Sequence, residues 1–238
     1  MKKLLSLSVA SLALVAAAEY TASPLIGVTE ITTTNKNTIV AVPFNSLAGA
    51  GNISVTNLVC TNGLSTGTSI YVVKDNGYKA WLLQGSGWEA ATTVGEGAPY
   101  VAPGSGDEVV ASPGAIWVVL TQAPTTPQHI YIYGQYTNAT ESAVAANASN
   151  LIANPLQSAA TFALDGTPAI GDMIIIPNDG TPESYTYAKM RGSEDGVWTR
   201  SGSAPVASLS MSIQVGQGFW YVAKGSSVTK VTWSAPAP

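Results

Sequence analysis

The chain has 238 residues, of which 46% are hydrophobic and 10% are charged, and its formal net charge is −4. Disordered chains combine low hydrophobicity with high charge, so this composition excludes a largely disordered protein. The acidic balance and the lack of a basic patch argue against nucleic acid as a partner. A surface this poor in charge favours self-association.

The first 18 residues have the pattern of a secretory signal peptide. Lys2 and Lys3 precede an apolar run over 4–15, and small residues follow at 16–18. The run is short for a membrane-spanning helix, which is the alternative interpretation. We therefore expect cleavage after Ala18, no membrane span in the mature form, and secretion to the exterior or the cell surface of a bacterium.

The mature chain reads as short strands separated by turns, as its 23 glycines and 14 prolines suggest. Pro43 ends one strand because it lacks an amide donor, and Asn76-Gly77 is a strong hairpin signal. Candidate strands of the first half are 20–34, 38–42, 52–60, 66–73, 78–83 and 116–121.

A Pro/Thr connector over 123–128 is expected to be extended and semi-rigid. We take it as the boundary between β module 1, residues 19–122, and β module 2, residues 129–238. Strict alternation over 129–136 predicts a half-buried strand that opens the second module. The alanine-rich segment 142–150 is either a short helix or a loop.

The second module repeats the order of features in the first, as expected for an internal duplication. The matching pairs are 39–44 with 151–156, 66–72 with 170–176, 78–81 with 185–188, Trp88 with Trp198, and Trp117 with Trp220. The sequence therefore predicts an all-β fold of two tandem, duplicated antiparallel β-sandwich or barrel-like modules after the signal peptide.

Two short anchors carry a resemblance to a known repeat. The second module has Asn154-Pro155-Leu156 and ends on 216–220, Gly-Gln-Gly-Phe-Trp, while the first has Val42-Pro43-Phe44 and 114–117, Gly-Ala-Ile-Trp. The chain resembles a repeat of secreted and surface bacterial proteins in which each copy opens on Asn-Pro-Tyr and closes on Gly-Gln-Gly-Phe-Phe. Leu156 and Ala115 depart from that pattern. The resemblance implies an extracellular β module and no catalytic residues.

Familiar catalytic and cofactor sites are not expected. Gly216-x-Gly218 precedes a strand, whereas phosphate loops precede a helix. His129 is the only histidine and lies beside the connector, a position that argues against a nucleophile paired with a histidine base. One histidine with one cysteine, Cys60, does not complete a zinc site without carboxylate ligands. Cys60 is expected to be a small buried apolar residue, with an intermolecular disulfide as the alternative. We predict no cofactor.

The acidic residues are interpreted as solvated loop residues. Asp107-Glu108 and Glu194-Asp195 are adjacent pairs, and neighbours on a strand point to opposite faces, so neither forms a glycosidase pair alone. A calcium site remains an alternative to a simple hairpin turn, and it would use Asp172, Asn178, Asp179 and Glu183. We predict no metal site and no enzymatic activity.

Five aromatic residues are candidates for ligand binding. They fall on return strands and hairpins, where exposed rings stack on sugars or anchor a protein, although core packing is the alternative for each. They are Trp81, Trp88, Tyr185, Tyr187 and Trp198.

Both ends of the mature chain are candidates for assembly. Residues 19–34 and 228–233 read as strands outside the repeat cores, and a free terminal strand can complete a neighbour's sheet. The candidate assembly residues are Tyr20, Ile26, Val28, Ile31, Val231 and Trp233.

The sequence thus favours a secreted structural or surface-assembly protein that polymerises into filaments by strand addition. A carbohydrate-binding or adhesive module that uses the surface Trp and Tyr residues is the alternative. A carboxylate-based hydrolase is a weaker one. Self-association is the expected partnership, and a glycan is the alternative partner.

Overall fold

The structure is a computed structural model. It describes residues 26–45, 52–54, 58–74, 77–85, 87–91, 101–103, 109–111, 114–136, 139–177, 182–191, 195–209 and 211–235. The described residues form an all-β protein, as predicted, whose pairings are antiparallel except between β6 and β8. The predicted signal peptide lies outside the described residues.

The strands divide into two sets. Those of the first half are β1 (Ile26–Thr33), β2 (Asn37–Val42), β3 (Phe44–Asn45), β4 (Asn52–Ser54), β5 (Ser69–Lys74), β6 (Gly77–Gln84), β7 (Gly87–Ala90), β8 (Val101–Pro103), β9 (Val109–Ala111), β10 (Gly114–Val119) and β11 (Gln128–Tyr136). Those of the second half are β12 (Glu141–Ala143), β13 (Ser149–Ala153), β14 (Ala160–Asp165), β15 (Met173–Ile176), β16 (Glu183–Lys189), β17 (Gly196–Thr199), β18 (Ser212–Ile213), β19 (Gly218–Val222) and β20 (Lys230–Ser234).

The two halves share one strand order. The larger sheet of the first half runs β2-β10-β5-β6-β7, and that of the second runs β13-β19-β15-β16-β17. The smaller sheets run β1-β11-β3 and β12-β20-β14, with β18 added beside β14. The first half also has β8 beside β6 and a separate β4-β9 pair. The chain is therefore a duplication, as the sequence predicts.

Residue equivalences follow from the registers. Trp117 lies opposite Ile39 and Tyr71, as Trp220 lies opposite Leu151 and Ile175, so the predicted match of the two tryptophans is confirmed.

The predicted match of 78–81 with 185–188 is shifted by three residues. Tyr185 lies opposite Ile174 as Trp81 lies opposite Ile70, so Tyr185 takes the place of Trp81 and not that of Tyr78. The prediction matched Tyr78 with Tyr185 because both are tyrosines near the start of a return strand, and strand register is not visible in the sequence.

The segment that was expected to open the second module closes the first. β1 is paired with β11 along the whole of β1, from Ile26 with Gln135 to Thr33 with Gln128, and Ile130 and Ile132 belong to the first core. Of the predicted connector 123–128, residues 123–127 are therefore a loop within the first half and Gln128 begins β11. The predicted boundary fails because the partner of β11 lies about a hundred residues earlier, and short-range patterns carry no trace of that pairing.

The segment 142–150 is not a helix. Its ends belong to β12 and β13, with a turn between them in which Asn147 has a φ of 53°. The Asn150 Oδ1 accepts a hydrogen bond from the Ala145 amide at 2.8 Å, and the Asn150 Nδ2 donates one to the Ala145 carbonyl oxygen at 3.0 Å. This side chain satisfies the turn, which outweighs the helical propensity of the alanines.

Each half has its own core, and a third apolar cluster joins them. Ile39 and Ala41 of β2 pack with Ala115 and Ala153, while Val40 and Val42 face the core of the first half. Both faces of β2 are thus covered, which explains why its sequence is a continuous apolar run rather than an alternation.

Candidate functional site

Three of the five predicted ligand-binding aromatics lie in the cores. Trp81, Trp88 and Trp198 are 0%, 9% and 3% exposed, and Trp88 Nε1 donates to the Val59 carbonyl oxygen at 3.0 Å. A ring buried in this way cannot present its face to a sugar. The sequence placed them on hairpins correctly but gave no indication that the opposing sheet covers them.

The other two, Tyr185 and Tyr187, are half-buried on β16. Arg200 lies 5.6 Å from the centre of the Tyr185 ring and bonds Glu183 at 2.9 Å, and Tyr187 packs on Trp198 with ring centres 5.2 Å apart. Each tyrosine is thus engaged by its neighbours on β16 and β17, and the structure does not bring the five aromatics together as one surface.

The predicted assembly residues divide between core and edge. Val231 and Trp233 are buried in the second core, and β20 lies between β12 and β14. Ile31 is buried in the first core, and Tyr20 lies outside the described residues. The expectation that both terminal strands lie outside the cores is therefore wrong, because each completes a sheet of its own chain.

β1 is nevertheless an edge strand. Within the described residues it pairs with β11 alone, so the backbone groups on its other side have no strand partner. Its side chains alternate, with Thr29, Ile31 and Thr33 buried and Val28 and Thr32 exposed. Val28 is 65% exposed, the largest value for a large hydrophobic residue in the described part of the chain. Ile26, another predicted residue, is paired with Gln135.

Aromatic residues on β11 flank this edge and were missed at the sequence level. Tyr133 lies opposite Val28 and Tyr131 lies opposite Glu30, and both tyrosines are half-buried. His129 contacts the Glu30 carboxylate and stacks near Tyr131, with ring centres 6.4 Å apart. The alternation of aromatic residues with Ile130 and Ile132 was the signal that could have placed them on the outer face.

We call Val28, Glu30, His129, Tyr131 and Tyr133 the β1 edge surface. It combines an unpaired strand edge with an apolar side chain and two phenol rings. Such a surface is suited to receive another strand, because backbone groups supply hydrogen bonds and the side chains supply contact area.

The stretch 214–222 of the second half contacts β1 and β2 of the first half. Gly216 has a φ of +70°, and a Cβ there would lie 2.6 Å from Ile31 Cγ1. Its carbonyl oxygen accepts from the Ala41 amide at 2.9 Å, and the Gln217 carbonyl oxygen accepts from the Asn154 amide at 2.9 Å. This turn therefore has a structural role, because it covers the outer edge of β2.

Asn154 has a structural role in the Asn154-Pro155 pair. Its side chain is 1% exposed and donates to the carbonyl oxygens of Ser158 and Ile213 at 2.8 and 3.0 Å, while its Oδ1 accepts from the Leu156 amide at 2.9 Å. The anchor therefore fixes the chain where β13 ends.

Asp172 is held by protein groups. Its carboxylate accepts from the Tyr221 hydroxyl and from the Lys224 and Ala169 amides, at 2.5, 2.7 and 3.1 Å. Burial and the bond to Asp172 raise the pKa of Tyr221 above its usual range. Glu183 bonds Arg200, and Asn178 and Asp179 lie outside the described residues. Among the residues that the structure describes, no three metal-ligating side chains cluster.

Cys60 is half-buried rather than fully buried. Its amide donates to the Tyr131 carbonyl oxygen at 3.0 Å, and the adjacent Val59 bridges to Ile132. The residue therefore lies at the side of β11 away from β1.

No family model, no curated protein and no solved structure matches this chain. Among the described residues, no helix has the length and hydropathy needed to cross a bilayer.

Proposed function

We propose that this protein is a secreted structural protein of a bacterial surface that self-associates by strand addition at the β1 edge surface. The observation that carries the proposal is the eight-residue strand β1, which has one strand neighbour in the described chain. A long, uncovered edge is a template for pairing with another chain. A non-catalytic role is part of this proposal.

The second copy of the module supports it by contrast. The equivalent edge strand, β12, has three residues, and Glu141 on it pairs with Lys230 at 2.8 Å. Short edge strands and charged side chains are common protections against unwanted pairing. β1 also bears a charged residue, Glu30, which contacts His129, but β1 is longer and exposes Val28. Length and an apolar side chain therefore distinguish its edge from that of the second copy.

The other long edge is covered. β2 ends the larger sheet of the first half, but Val40 bridges to Gln217 and the Ala41 amide is bonded to Gly216. β20 is interior to its sheet. These contacts favour β1 over β2 and β20 as the edge at which a strand would be added.

A charge placed on the edge tests the proposal. Val28→Lys introduces a charge that must be desolvated when a second strand docks, so it should weaken self-association at least tenfold, or about 1.4 kcal/mol. The measurement is sedimentation velocity of the mature protein over a concentration series, with electron microscopy of the assembled material.

Ile170→Lys is the matched control. Ile170 is 57% exposed and lies in the turn before β15, away from the β1 edge, so its replacement should leave self-association unchanged. A wild-type protein that stays monomeric at millimolar concentration, or equal losses in both variants, would refute assignment of assembly to β1.

Secretion is a second part of the proposal. It rests on the basic, apolar and small-residue pattern of residues 1–18 and on the resemblance to secreted bacterial repeats. Mass spectrometry of the mature protein should give an N-terminus at Glu19, and retention of Met1 in exported material would contradict it.

A further inference from the structure

The single histidine of the chain lies on the β1 edge surface. His129, on β11, contacts the Glu30 carboxylate of β1 and lies 3.5 Å from the Thr32 hydroxyl. The side chains of His129 and Glu30 are 48% and 49% exposed. Solvent protons reach this pair, and a strand docked on β1 would lie beside it.

Glu30 lies near the middle of the edge that would receive a second strand. In the register of β1 with β11, Glu30 is opposite Tyr131 and Thr32 is opposite His129, so the acid and the histidine are diagonal neighbours on one face. A strand added beside β1 would place a side chain roughly 4.5–5.5 Å from that of Glu30. Docking therefore removes part of the hydration of this carboxylate.

The second copy carries an ion pair between the equivalent strands, β12 and β20. Glu141 bonds Lys230 at 2.8 Å, and Asp165 lies 3.6 Å from the same ammonium group. The hydrogen bond to Glu141 raises the pKa of Lys230 above its usual range, so this cation keeps its charge at neutral pH. Histidine is instead the side chain whose charge ordinarily changes between about pH 5 and 8. The copy with the long edge thus carries the pair that titrates.

The other titratable groups around His129 are a carboxylate, two phenols and a thiol. They are Glu30 on β1, Tyr131 and Tyr133 on β11, and Cys60, whose amide bonds β11 on the side away from β1. The strand β3, also beside β11, bears none of these groups. Phenols and thiols as classes ionise at higher pH than histidine, and carboxylates at lower pH. A change in charge on this surface near neutral pH is therefore that of the histidine.

We propose, on the basis of the assembly proposed above, that the Glu30–His129 pair makes self-association at the β1 edge surface dependent on pH, with stronger association when the histidine is protonated. The docking partner is a second copy of this chain. A twofold β1–β1 contact brings the Glu30 carboxylates of both molecules onto one face of the joined sheet, where like charges repel.

Protonation of His129 changes the electrostatics of docking. With a neutral imidazole, docking desolvates a Glu30 charge that no cation balances, which is unfavourable. With an imidazolium, each carboxylate has a cation in contact before the edges meet. The docked edge therefore holds the proton more tightly than the free edge, and by linkage association strengthens as the pH falls through the histidine range.

Sedimentation velocity of the mature protein, without a histidine tag, at pH 5.5 and pH 7.5 measures the effect. The Kd of self-association should be at least about fivefold lower at pH 5.5, the size expected for one ion pair. Because the chain holds one histidine, proton NMR of its imidazole gives an independent measurement. Its titration midpoint should lie at higher pH in concentrated, associated protein than in dilute monomer.

Three variants separate this pair from the overall charge of the protein. His129→Gln removes the titrating group, so its Kd should be the same at both pH values. In Glu30→Gln the imidazolium is the unbalanced charge, so association should weaken as the pH falls, the reverse of the wild type. Such a reversal cannot arise from the approach to the isoelectric point of about 4.9. Glu141→Gln, the matched control in the second copy, should keep the wild-type dependence.

The outcomes distinguish this inference from the proposed function. Equal Kd values for the wild type at both pH values, or the wild-type dependence in Glu30→Gln, would overturn the role of the pair. If association is lost in Val28→Lys while the wild type is insensitive to pH, assembly at β1 stands and the pH dependence alone is refuted. A wild type that is monomeric at both pH values refutes both.

Discussion

Asp172 is a buried carboxylate, and the hydrogen bonds it accepts offset the unfavourable free energy of its burial. A buried charge is strongly unfavourable unless hydrogen bonds replace its hydration. The Lys224 amide and the Tyr221 hydroxyl supply two such bonds, at 2.7 and 2.5 Å. The sequence shows that Asp172 is an acidic residue immediately before a predicted strand. Tyr221 was not recognisable as its partner, because 49 residues separate the two and the contact depends on strand pairing.

Tyr221→Phe should destabilise the protein by about 1–3 kcal/mol, because the Asp172 carboxylate loses a donor while it remains buried. Urea unfolding at pH 7 measures this effect. Tyr133→Phe, which removes a phenol hydroxyl from the half-buried face of β11, is the control and should cost less than 0.5 kcal/mol, roughly the size of a surface substitution. Equal effects would contradict the role given to the bond.

The same pair predicts a dependence on pH. Burial and the Asp172 bond raise the pKa of Tyr221, so the folded protein keeps this proton where an unfolded tyrosine, with a pKa near 10, releases it. The resulting stability is full below about pH 10 and is lost as the pH rises through the folded pKa. Unfolding free energies measured from pH 9 to pH 11.5 should therefore fall more steeply in the wild type than in Tyr221→Phe.

Among the elements, β19 begins at a glycine that leaves no room for a side chain. A Cβ added to Gly218 would meet the Ile152 carbonyl oxygen, and it would lie 2.7 Å from Ala153 Cβ and 2.8 Å from Ile39 Cγ2. The first copy carries Ala115 at the equivalent position. Ala115 also packs with Ile39 and Ala153, so the two copies share this contact and differ in the side chain at its centre.

Gly218→Ala should destabilise the protein by about 3 kcal/mol, because backbone atoms must move to admit the methyl group. Gly87→Ala is the control, since a Cβ at Gly87 meets nothing within 4 Å. It should change stability by about 0.5 kcal/mol or less. Thermal unfolding monitored by circular dichroism compares the two, and a tolerated Gly218→Ala would show that β13 and β19 have room to separate.

The elements also show how far the sequence could lead. Local patterns identified β2, β5, β6 and β10 because apolar runs and turn residues are encoded within a few positions. The assignment of β11 failed because a Pro/Thr segment has the composition of a linker and pairing with β1 is a long-range event. The burial of Trp88 and Trp198 could not be predicted either. Alternation shows which residues share one face of a strand, but which face is buried depends on where the opposing sheet packs.

At the scale of the molecule, equivalent aromatic residues join the two halves. Trp117 and Trp220 meet edge to face, with ring centres 5.7 Å apart, and Tyr78 approaches Trp220 at 5.5 Å. Burial raises the pKa of Tyr78, because a phenolate would lose its hydration in this contact. Because the two tryptophans occupy matching positions, the halves contact each other through the same face.

Trp220→Ala should uncouple the halves. The change removes both aromatic contacts, each worth about 0.5–1.5 kcal/mol beyond the area buried, so calorimetry should show two unfolding transitions where the wild type shows one. Trp198→Phe, which reduces a core of the second half, should lower the temperature of unfolding without dividing the transition. A single transition in Trp220→Ala would mean that the Ile39, Ala41, Ala115 and Ala153 cluster and the Gly216–Ala41 hydrogen bond couple the halves without the aromatic contacts.

The edge strands β1 and β12 differ in length, and under the proposed strand addition this difference determines how many neighbours one molecule can bind. A contact that joins β1 to β1 of another molecule about a twofold axis occupies both edges, so growth stops at a pair. An open-ended thread requires β1 to meet an unlike strand on its neighbour. Under the proposed strand addition, the described residues offer a long edge in one copy and a three-residue edge in the other, so strand-paired products are expected to be dimers before they are fibres.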